Sequence, residues 1–575
     1  MSQLLSEMNR IKIIAIPLFW ILMAGCRKED PVVRLAVTTD VHGMIFPTDL
    51  IRREASDHSL AHIYNYVSEQ RKKKDTLFYL LDNGDFLQGQ PPVYYYNFID
   101  TTTVHLSARV MNFMGYSAGT VGNHDIETGP TVYNKIRKEL DFPWMAANAV
   151  NTSTGKPYFE PYTVLHAGNR KIVILGLITP GIPHWLPKNF WPDMEFRDMV
   201  ETAAEWVPRI KEAENPDLMV GLFHSGTDAG YGGSSESYMN DNATMLVARE
   251  VPGFDVIFAG HDHKVSDQWI LNTDGDSVLV VDPGSHARFA GEVTVRFTEN
   301  GDHFLESRLV PMSEYTPSEE FMEVFSADLR RVKNYLDDTI TWLKEEMTGA
   351  DALFGPSPMM TLIHRVQLEL SGADLSFTAP LSLSARLRKG PLLVSDMFQL
   401  YRYENMLYKM ELSGLEIDRY LEYAAGLWFS TMSGPGDFML LYKEGKPGTL
   451  ANQYYNFSSA AGIDYEVDLT RPPGDRITIL DFSDGAPFTE DGHYMVAINS
   501  YRGTGGGGHL TRGAGIPQSE LEGRIRWSTG IDLRYYLMQS LAETDTVYSE
   551  TLQNWHILPE TWVNSAVNRE RGYFQ

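Results

Sequence analysis

Six short apolar runs rich in Val, Ile and Leu punctuate the first half of the chain: VVRLAVTT from Val32, TLFYLL from Thr76, KIVILGLIT from Lys171, DLMVGLF from Asp217, FDVIFA from Phe254 and SVLVV from Ser277. Unbroken runs of this length read as strands buried on both faces. Between them lie stretches with apolar residues at helical spacing, such as VYNKIRKEL from Val132 and TAAEWVPRIKEAE from Thr202. Strands alternating with helices predict an α/β layered domain over residues 32–310. From Ser318 to Met347 helix formers recur with helical periodicity, which predicts a linker helix within residues 311–349. A second α/β domain is expected over residues 350–575, with helical MMTLIHRVQLEL and GLEIDRYLEYAAGL, a strand at ENMLYKMEL and a glycine-rich loop RGTGGGGH. A chain of 575 residues is long enough for two such cores.

The N-terminus follows a different pattern. Arg10 and Lys12 precede an apolar run from Ile13 to Met23, too short to span a bilayer comfortably, and the run ends in Met23-Ala24-Gly25-Cys26. A basic leader, an apolar run and small residues before a cysteine predict a signal peptide over residues 1–26 with a bacterial lipoprotein cleavage box, and Cys26 as the lipid anchor. Met23 stands where such boxes usually carry Leu, and Met8 is the expected start because Glu7 interrupts the basic leader. Cys26 is the only cysteine, which excludes disulfides and thiolate redox chemistry. The expected product is a monomeric cell-envelope lipoprotein, exported to the periplasm-facing side or the cell surface and held at the membrane by lipid alone.

Charge narrows the choice of partner. The chain carries 75 Asp and Glu against 49 Lys and Arg, a net charge of −26. That balance argues against duplex nucleic acid or an anionic membrane surface, since both call for basic patches. A small anionic substrate is compatible only if the site itself supplies positive charge.

Several apolar runs stop at a polar cluster. LAVTT leads into Asp40-Val41-His42, LFYLLDN into Gly84-Asp85, SAGTV into Gly122-Asn123-His124-Asp125, VGLF into His224-Ser225-Gly226, and VIFA into Gly260-His261-Asp262-His263. In open α/β sheets the carboxyl ends of strands converge on one crevice, so groups far apart in sequence can meet there. Asp, Asn and His supply oxygen and imidazole ligands without thiolate, a set that suits Mn, Zn, Fe or Co. There are enough of them for two divalent ions, the arrangement that clamps both oxygens of a phosphoryl displacement. Bound cations also answer the charge question. Asp82, Asp125 and Asp262 adjoin the ligands and are candidates to orient them. His58, His62, His105, His166 and His286 are expected in structural positions.

In order, the clusters read D-x-H, G-D-x-x-x-G, G-N-H-[DE], H-S-G and G-H-x-H. This order resembles the calcineurin-like metallophosphoesterases, and with the second domain it resembles the 5′-nucleotidase superfamily. The resemblance implies a four-layer αββα sandwich followed by a substrate domain. It implies one metal on Asp40, His42, Asp85 and His263, and another on Asp85, Asn123, His224 and His261, with Asp85 shared. It makes His124 the catalytic imidazole and puts Glu127, in GNHDIE, where that family orients the histidine with Asp. The superfamily's nucleoside-holding segments are altered here. TAPLSLSAR, Thr378 to Arg386, replaces N-G-G-G-x-R, and Gly507 stands where G-G-D-G carries its ribose-binding Asp.

The departures agree with another branch. LYRYENMLYKMELSG, YYNFSSAAGIDYEVDLTRP and AINSYRGTGGGG are similar to the exported 2′,3′-cyclic-nucleotide 2′-phosphodiesterase/3′-nucleotidases. That similarity implies Tyr403 and Tyr501 as a base sandwich, with Asn405 and Arg502 as further substrate contacts. Stacking on a ring tolerates any base, because every base has a π face. The expected activity is hydrolysis of 2′,3′-cyclic nucleotides to 3′-nucleotides and then to nucleoside and phosphate. The alternatives are a 5′-nucleotidase or UDP-sugar hydrolase on the same metals, and a nucleotide-binding or adhesion lipoprotein with a decayed site.

Overall fold

The computed structural model describes residues 32–230 and 238–574, so the signal-peptide and Cys26 expectations lie outside the described residues. Strands of the first domain are β1 (Val32–Thr38), β2 (Thr76–Asp82), β3 (Tyr116–Thr120), β4 (Trp144–Met145), β5 (Tyr162–Ala167), β6 (Arg170–Ile178), β7 (Leu218–His224), β8 (Val256–Phe258), β9 (Val265–Leu271), β10 (Ser277–Pro283), β11 (Phe289–Phe297) and β12 (His303–Pro311). They form two six-stranded sheets, ordered β12-β11-β1-β2-β3-β4 and β9-β10-β8-β7-β6-β5. The inner strands run parallel, with Leu35 opposite Tyr79 and Val220 opposite Ile174. The outer strands β5, β9, β11 and β12 join antiparallel.

Alternate residues of facing strands interdigitate between the sheets. Val33, Leu35 and Val37 of β1 share one core with Val220 and Leu222 of β7 and with Val256 and Phe258 of β8. Helices cover both outer faces. α1 (Leu60–Arg71) and α2 (Leu106–Met114) pack Ile63, Val67, Val110 and Met111 over the first sheet, among Ala36 and Leu80. α3 (Met199–Glu214) and α4 (Thr244–Glu250) pack Ala203, Val207, Ile210 and Val247 over the second, against Val173, Leu175 and Ile257. The result is the expected αββα sandwich.

The linker differs from expectation. Its helical pattern forms α5 (Glu319–Val324) and α6 (Ser326–Asp337), and then the chain turns into strand β13 (Thr339–Leu343) instead of continuing to Met347. TITWL is β-branched and aromatic, and it pairs with Gly390–Leu393 and Thr546–Val547, so sheet pairing overrides the helical pattern there. In the second domain, helices α7 (Pro358–Ser371) and α8 (Gly414–Trp428) pack on a five-stranded sheet. Its strands are β14 (Leu375–Thr378), β15 (Leu407–Ser413), β16 (Ser459–Ala461), β17 (His493–Asn499) and β18 (Ile525–Ser528), ordered β16-β14-β17-β15-β18. The domains are tied by Arg53, whose guanidinium donates to Asp337 at 2.7 Å and Ser395 at 2.9 Å. They are tied again by Tyr94, whose ring lies 4.8 Å from the buried Arg534 guanidinium. Among the described residues no helix is long and apolar enough to cross a membrane.

Candidate metal centre

Every cluster read from the sequence lies at the carboxyl end of a parallel strand. Asp40 and His42 follow β1, Asp85 follows β2, His224 ends β7, and His261 and His263 follow β8. Asn123 and His124 open a short helix, Asn123–Glu127, directly after β3. The backbone is bent to aim these side chains. Asp40, His42, Asp85, His261 and His263 all have positive φ, between 48° and 75°. Such conformations cost of order 1–3 kcal/mol each in non-glycine residues and persist where the surroundings enforce them. Gly122 and Gly260 allow the loops to close together: a Cβ on Gly122 would sit 2.1 Å from Asp85 Oδ1, and one on Gly260 2.8 Å from Asp40 Oδ2.

Two ligand groups result. Potential ligand atoms of Asp40, His42 and His263 lie within 4.8 Å of one another, as do those of Asp85, His224 and His261. Asn123 completes the second group, with Oδ1 2.8 Å from His261 Nδ1 and 3.1 Å from His224 Nε2. His42 Nδ1 lies 3.2 Å from the carbonyl of Gln88 and His224 Nδ1 2.7 Å from that of Asn83, contacts that direct each Nε2 inward. The arrangement fits divalent ions. His42 Nε2 and His263 Nε2 approach to 3.0 Å, and with a carbonyl holding the His42 Nδ1 proton its inward lone pair needs a proton or a cation. Asp40 Oδ1 is buried and faces the imidazole nitrogens of the same group, His263 Nε2 at 3.3 Å and His42 Nε2 at 3.9 Å, as ligands converging on one cation do. Burial holds His42 and His261 down to about 4, which keeps both imidazoles neutral and able to coordinate. Burial would raise Asp40, but the bond from His263 and nearby positive charge keep it well below the usual carboxylate range.

His124 stands between the two groups and the cleft. Its backbone N–H donates to Asp85 Oδ1 at 2.8 Å, its ring lies 5.4 Å from that of His42, and its side chain is 32 % exposed. Glu127 Oε2 reaches His124 Nδ1 at 2.5 Å, one helical turn on, so the longer carboxylate contacts the imidazole. Burial would lower the His124 pKa, but Asp85 and Glu127 outweigh it and raise it to about 10. Asp125 turns away and ties the loops, accepting from the N–H groups of Asp85, Phe86, Leu87 and Gly122 at 2.8–3.1 Å.

In the second domain, Tyr403 packs on the apolar core and Asn405 is buried beside it. Tyr501 lies under the glycine loop, where a Cβ on Gly506 would meet its ring at 2.6 Å. Arg502 corrects an expectation. It is 4 % exposed and donates to the carbonyls of Gly506 at 2.6 Å and Tyr455 at 2.7 Å and to Asn456 at 3.2 Å, so it braces the loop rather than reaching for substrate. The loop meets the metal centre through Trp185, whose carbonyl accepts from Thr504 at 3.3 Å and whose ring lies 5.4 Å from that of His261.

Sequence reasoning missed Trp185 and assigned His286 a structural position. The structure brings the His286 ring within 5.3 Å of His42 and 6.0 Å of His263. Neither residue lies in a recognisable motif. Of the others set aside, His62 bonds Ser59 in the core and His105 caps α2.

An αββα sandwich with two His/Asp ligand groups and an attendant His–carboxylate pair, joined to a second α/β domain, defines a two-domain metal-dependent phosphoesterase architecture. Comparison with known proteins agrees. Residues 33–265 match the calcineurin-like phosphoesterase family and residues 339–512 the 5′-nucleotidase C-terminal domain. The chain therefore belongs to the metallophosphoesterase/5′-nucleotidase family. It is 25% identical over 546 residues to the 2′,3′-cyclic-nucleotide 2′-phosphodiesterase/3′-nucleotidase of Yersinia enterocolitica, covering 82% of this chain and 80% of that protein. It is 25% identical over 601 residues to the trifunctional nucleotide phosphoesterase YfkN of Bacillus subtilis, covering 93% of this chain and 39% of that longer protein. Its fold is shared with a putative 5′-nucleotidase from Staphylococcus aureus, at TM-score 0.74 and 23% identity over 92% of this chain and 99% of that one.

Proposed function

We propose that the chain is an exported phosphoesterase that opens 2′,3′-cyclic nucleotides to 3′-nucleotides and then releases phosphate and nucleoside. The observation that carries the substrate reading is the glycine loop. Gly507 has φ 72°, and a Cβ there would fall 1.9 Å from Arg502 Nη1 and 2.5 Å from Asn456 Oδ1. The place of a ribose-binding aspartate is thus filled by the bracing arginine, which disfavours a 5′-nucleotidase site. Export and a lipid on Cys26 rest on the N-terminal sequence pattern.

Asp40, His42 and His263 would hold one divalent ion, and Asn123, His224 and His261 the other, with Asp85 shared between them. When bound, the ions supply Lewis-acid stabilisation of the phosphoryl oxygens. The chain's own contribution is a directed proton. Glu127 engages Nδ1 of His124, which leaves Nε2 as the atom available to the cleft. As imidazolium it stabilises charge developing on the phosphoryl group and can protonate the departing ribose oxygen. Both steps expel a ribose oxygen, the 2′ and then the 3′, so one acid serves both. Tyr403 and Tyr501 would stack on the base.

Phosphate release from 2′,3′-cyclic AMP, 3′-AMP and 5′-AMP by Mn-loaded protein lacking residues 1–26 tests this, with a second phosphatase added to the cyclic reaction. Cyclic and 3′ substrates should turn over faster than 5′-AMP. A preference for 5′-AMP would overturn the substrate reading in favour of a 5′-nucleotidase.

A further inference from the structure

Residues 401–406 run from the helix Val394–Leu400 to strand β15 without regular structure, and they carry Tyr403 and Asn405. A segment outside helix and sheet has no ladder of its own, so its backbone must find partners elsewhere. Arg534 supplies two of them. Its Nε donates to the carbonyl of Tyr401 at 2.8 Å and its Nη2 to that of Arg402 at 2.7 Å. The N–H of Leu533 donates to the carbonyl of Asn405 at 2.8 Å. Tyr403 is thus bracketed on both sides by bonds from the first turn of one helix, Leu533–Ala542.

Arg534 is itself held on several sides. It is fully buried, and its guanidinium lies 4.2 Å from the Phe398 ring and 4.8 Å from the ring of Tyr94 in the first domain. Those two rings meet edge to face at 5.2 Å. The Tyr94 hydroxyl donates to Asp532 at 3.3 Å, and the buried Glu404 brings a carboxylate oxygen to 3.7 Å from Nη1 of Arg534. Stability alone gives little reason for such a pair, because apolar residues of the same volume often serve as well. What the planar fork adds is one fixed orientation, and with it a fixed backbone at residues 401 and 402. None of these contacts involves a metal ligand or His124.

The far end of the segment is pinned to the other tyrosine. Leu407 of β15 pairs with Asn499 of β17. Beyond that pair, the Ser500 N–H donates to the Met406 carbonyl at 2.8 Å, and the Met406 N–H donates to Ser500 Oγ at 3.1 Å. Tyr403 and Tyr501 therefore leave the same end of one strand pair, and the path of residues 401–406 sets where the Tyr403 ring stands relative to Tyr501.

We propose that Arg534 is a positioning residue for base recognition, which holds the Tyr403 ring in register with Tyr501 and takes no part in phosphoryl transfer. The proposal rests on the nucleotide reading of the same site. Its loss should fall on the binding of esters that carry a base and spare esters that have no ring to stack.

The test compares 3′-AMP with glycerol 2-phosphate, a secondary-alcohol phosphate without a base, on Mn-loaded wild type and Arg534→Lys. Lysine keeps the charge but cannot bond both carbonyls while lying flat between two rings. KM for 3′-AMP should rise about tenfold with kcat within about twofold, while kcat/KM on glycerol 2-phosphate and metal content stay near wild type. In a Tyr403→Ala background the same change should raise KM for 3′-AMP less than about twofold, because the ring it positions is gone. If Arg534→Lys does not fold, Phe398→Leu removes one ring from the guanidinium and should give the same pattern at about threefold. Equal losses on both substrates, an unchanged KM for 3′-AMP, or a full effect in the Tyr403→Ala background would overturn the proposal. Wild-type protein with equal kcat/KM on the two substrates would overturn the nucleotide reading itself, and would leave no base for Arg534 to position.

Discussion

Gly122→Ala is the smallest change that should disable the metal centre without touching a ligand. Gly122 caps the helix Asn123–Glu127 at φ −100°, which any residue can adopt, so the backbone conformation is not the obstacle. Space is. The added carbon would lie 2.1 Å from Asp85 Oδ1, 2.4 Å from Asp85 N and 2.8 Å from Asp85 Cγ. One of these is backbone and cannot swing aside. Relief requires about 1 Å of separation between the two loops, in a packed interior where such overpacking costs about 1–3 kcal/mol.

Asp85 pays most of it. Its carboxylate accepts from the His124 N–H at 2.8 Å and lies 3.2 Å from His224 Nε2, so displacement disturbs the second ligand group and the His124 imidazole together. Metal sites tolerate ligand errors of only about 0.2 Å, so a 1 Å shift should cost at least tenfold in affinity. The assay is metal content by elemental analysis after dialysis against a low-micromolar Mn buffer, paired with kcat at saturating Mn. Gly523→Ala is the control, because nothing lies within 4 Å of a Cβ there. A Gly122→Ala protein that keeps wild-type metal content and kcat would refute the close-contact account of the site.

Two further outcomes follow from other contacts. Glu127→Gln keeps the side chain's shape but removes the charge opposite His124 Nδ1, so kcat should fall about 10–100-fold while metal content holds, the scale of a charge-assisted bond. Wild-type kcat in that variant would separate Glu127 from catalysis. Asp418 lies far from the metal ligands in sequence, and burial, with Glu422 and Glu490 nearby, raises its pKa to about 6. Its folded pKa exceeds the unfolded value, so the destabilisation is complete above about pH 6, shrinks as pH falls from about 6 towards 4, and is gone below about 4. Asp418→Asn should raise Tm at pH 8 and leave it unchanged at pH 4; equal shifts at both would show that the carboxyl is not strained by charge.

The central strands were legible because burial on both faces leaves no polar position to break the run: KIVILGLIT and DLMVGLF pair residue for residue as β6 and β7. The antiparallel outer strands were not. β9 reads VSDQWIL and β12 HFLESRLVP, each with residues turned to solvent, and neither departs far enough from a loop's composition to announce itself. The linker failed for the opposite reason. Its helical periodicity is real up to Asp337, but TITWL finds two strand partners from distant parts of the chain, and no local pattern encodes a partner.

The site divides along the same line. The candidate ligands sit in short motifs at strand ends, so the convergence of Asp40, His42 and His263, and of Asp85, His224 and His261 with Asn123, was legible from sequence. Residues that act from the rim have no such anchor. His286 is aimed by a left-handed turn, and Trp185 reaches the centre from an irregular segment after β6. Arg502 shows the converse, a residue in a legible motif whose donors the fold consumes internally. Motif identity locates chemistry on the chain, but whether a polar group faces substrate depends on which of its donors the fold leaves unpaired. By that criterion Arg502 faces inward, although its motif alone suggested a substrate contact.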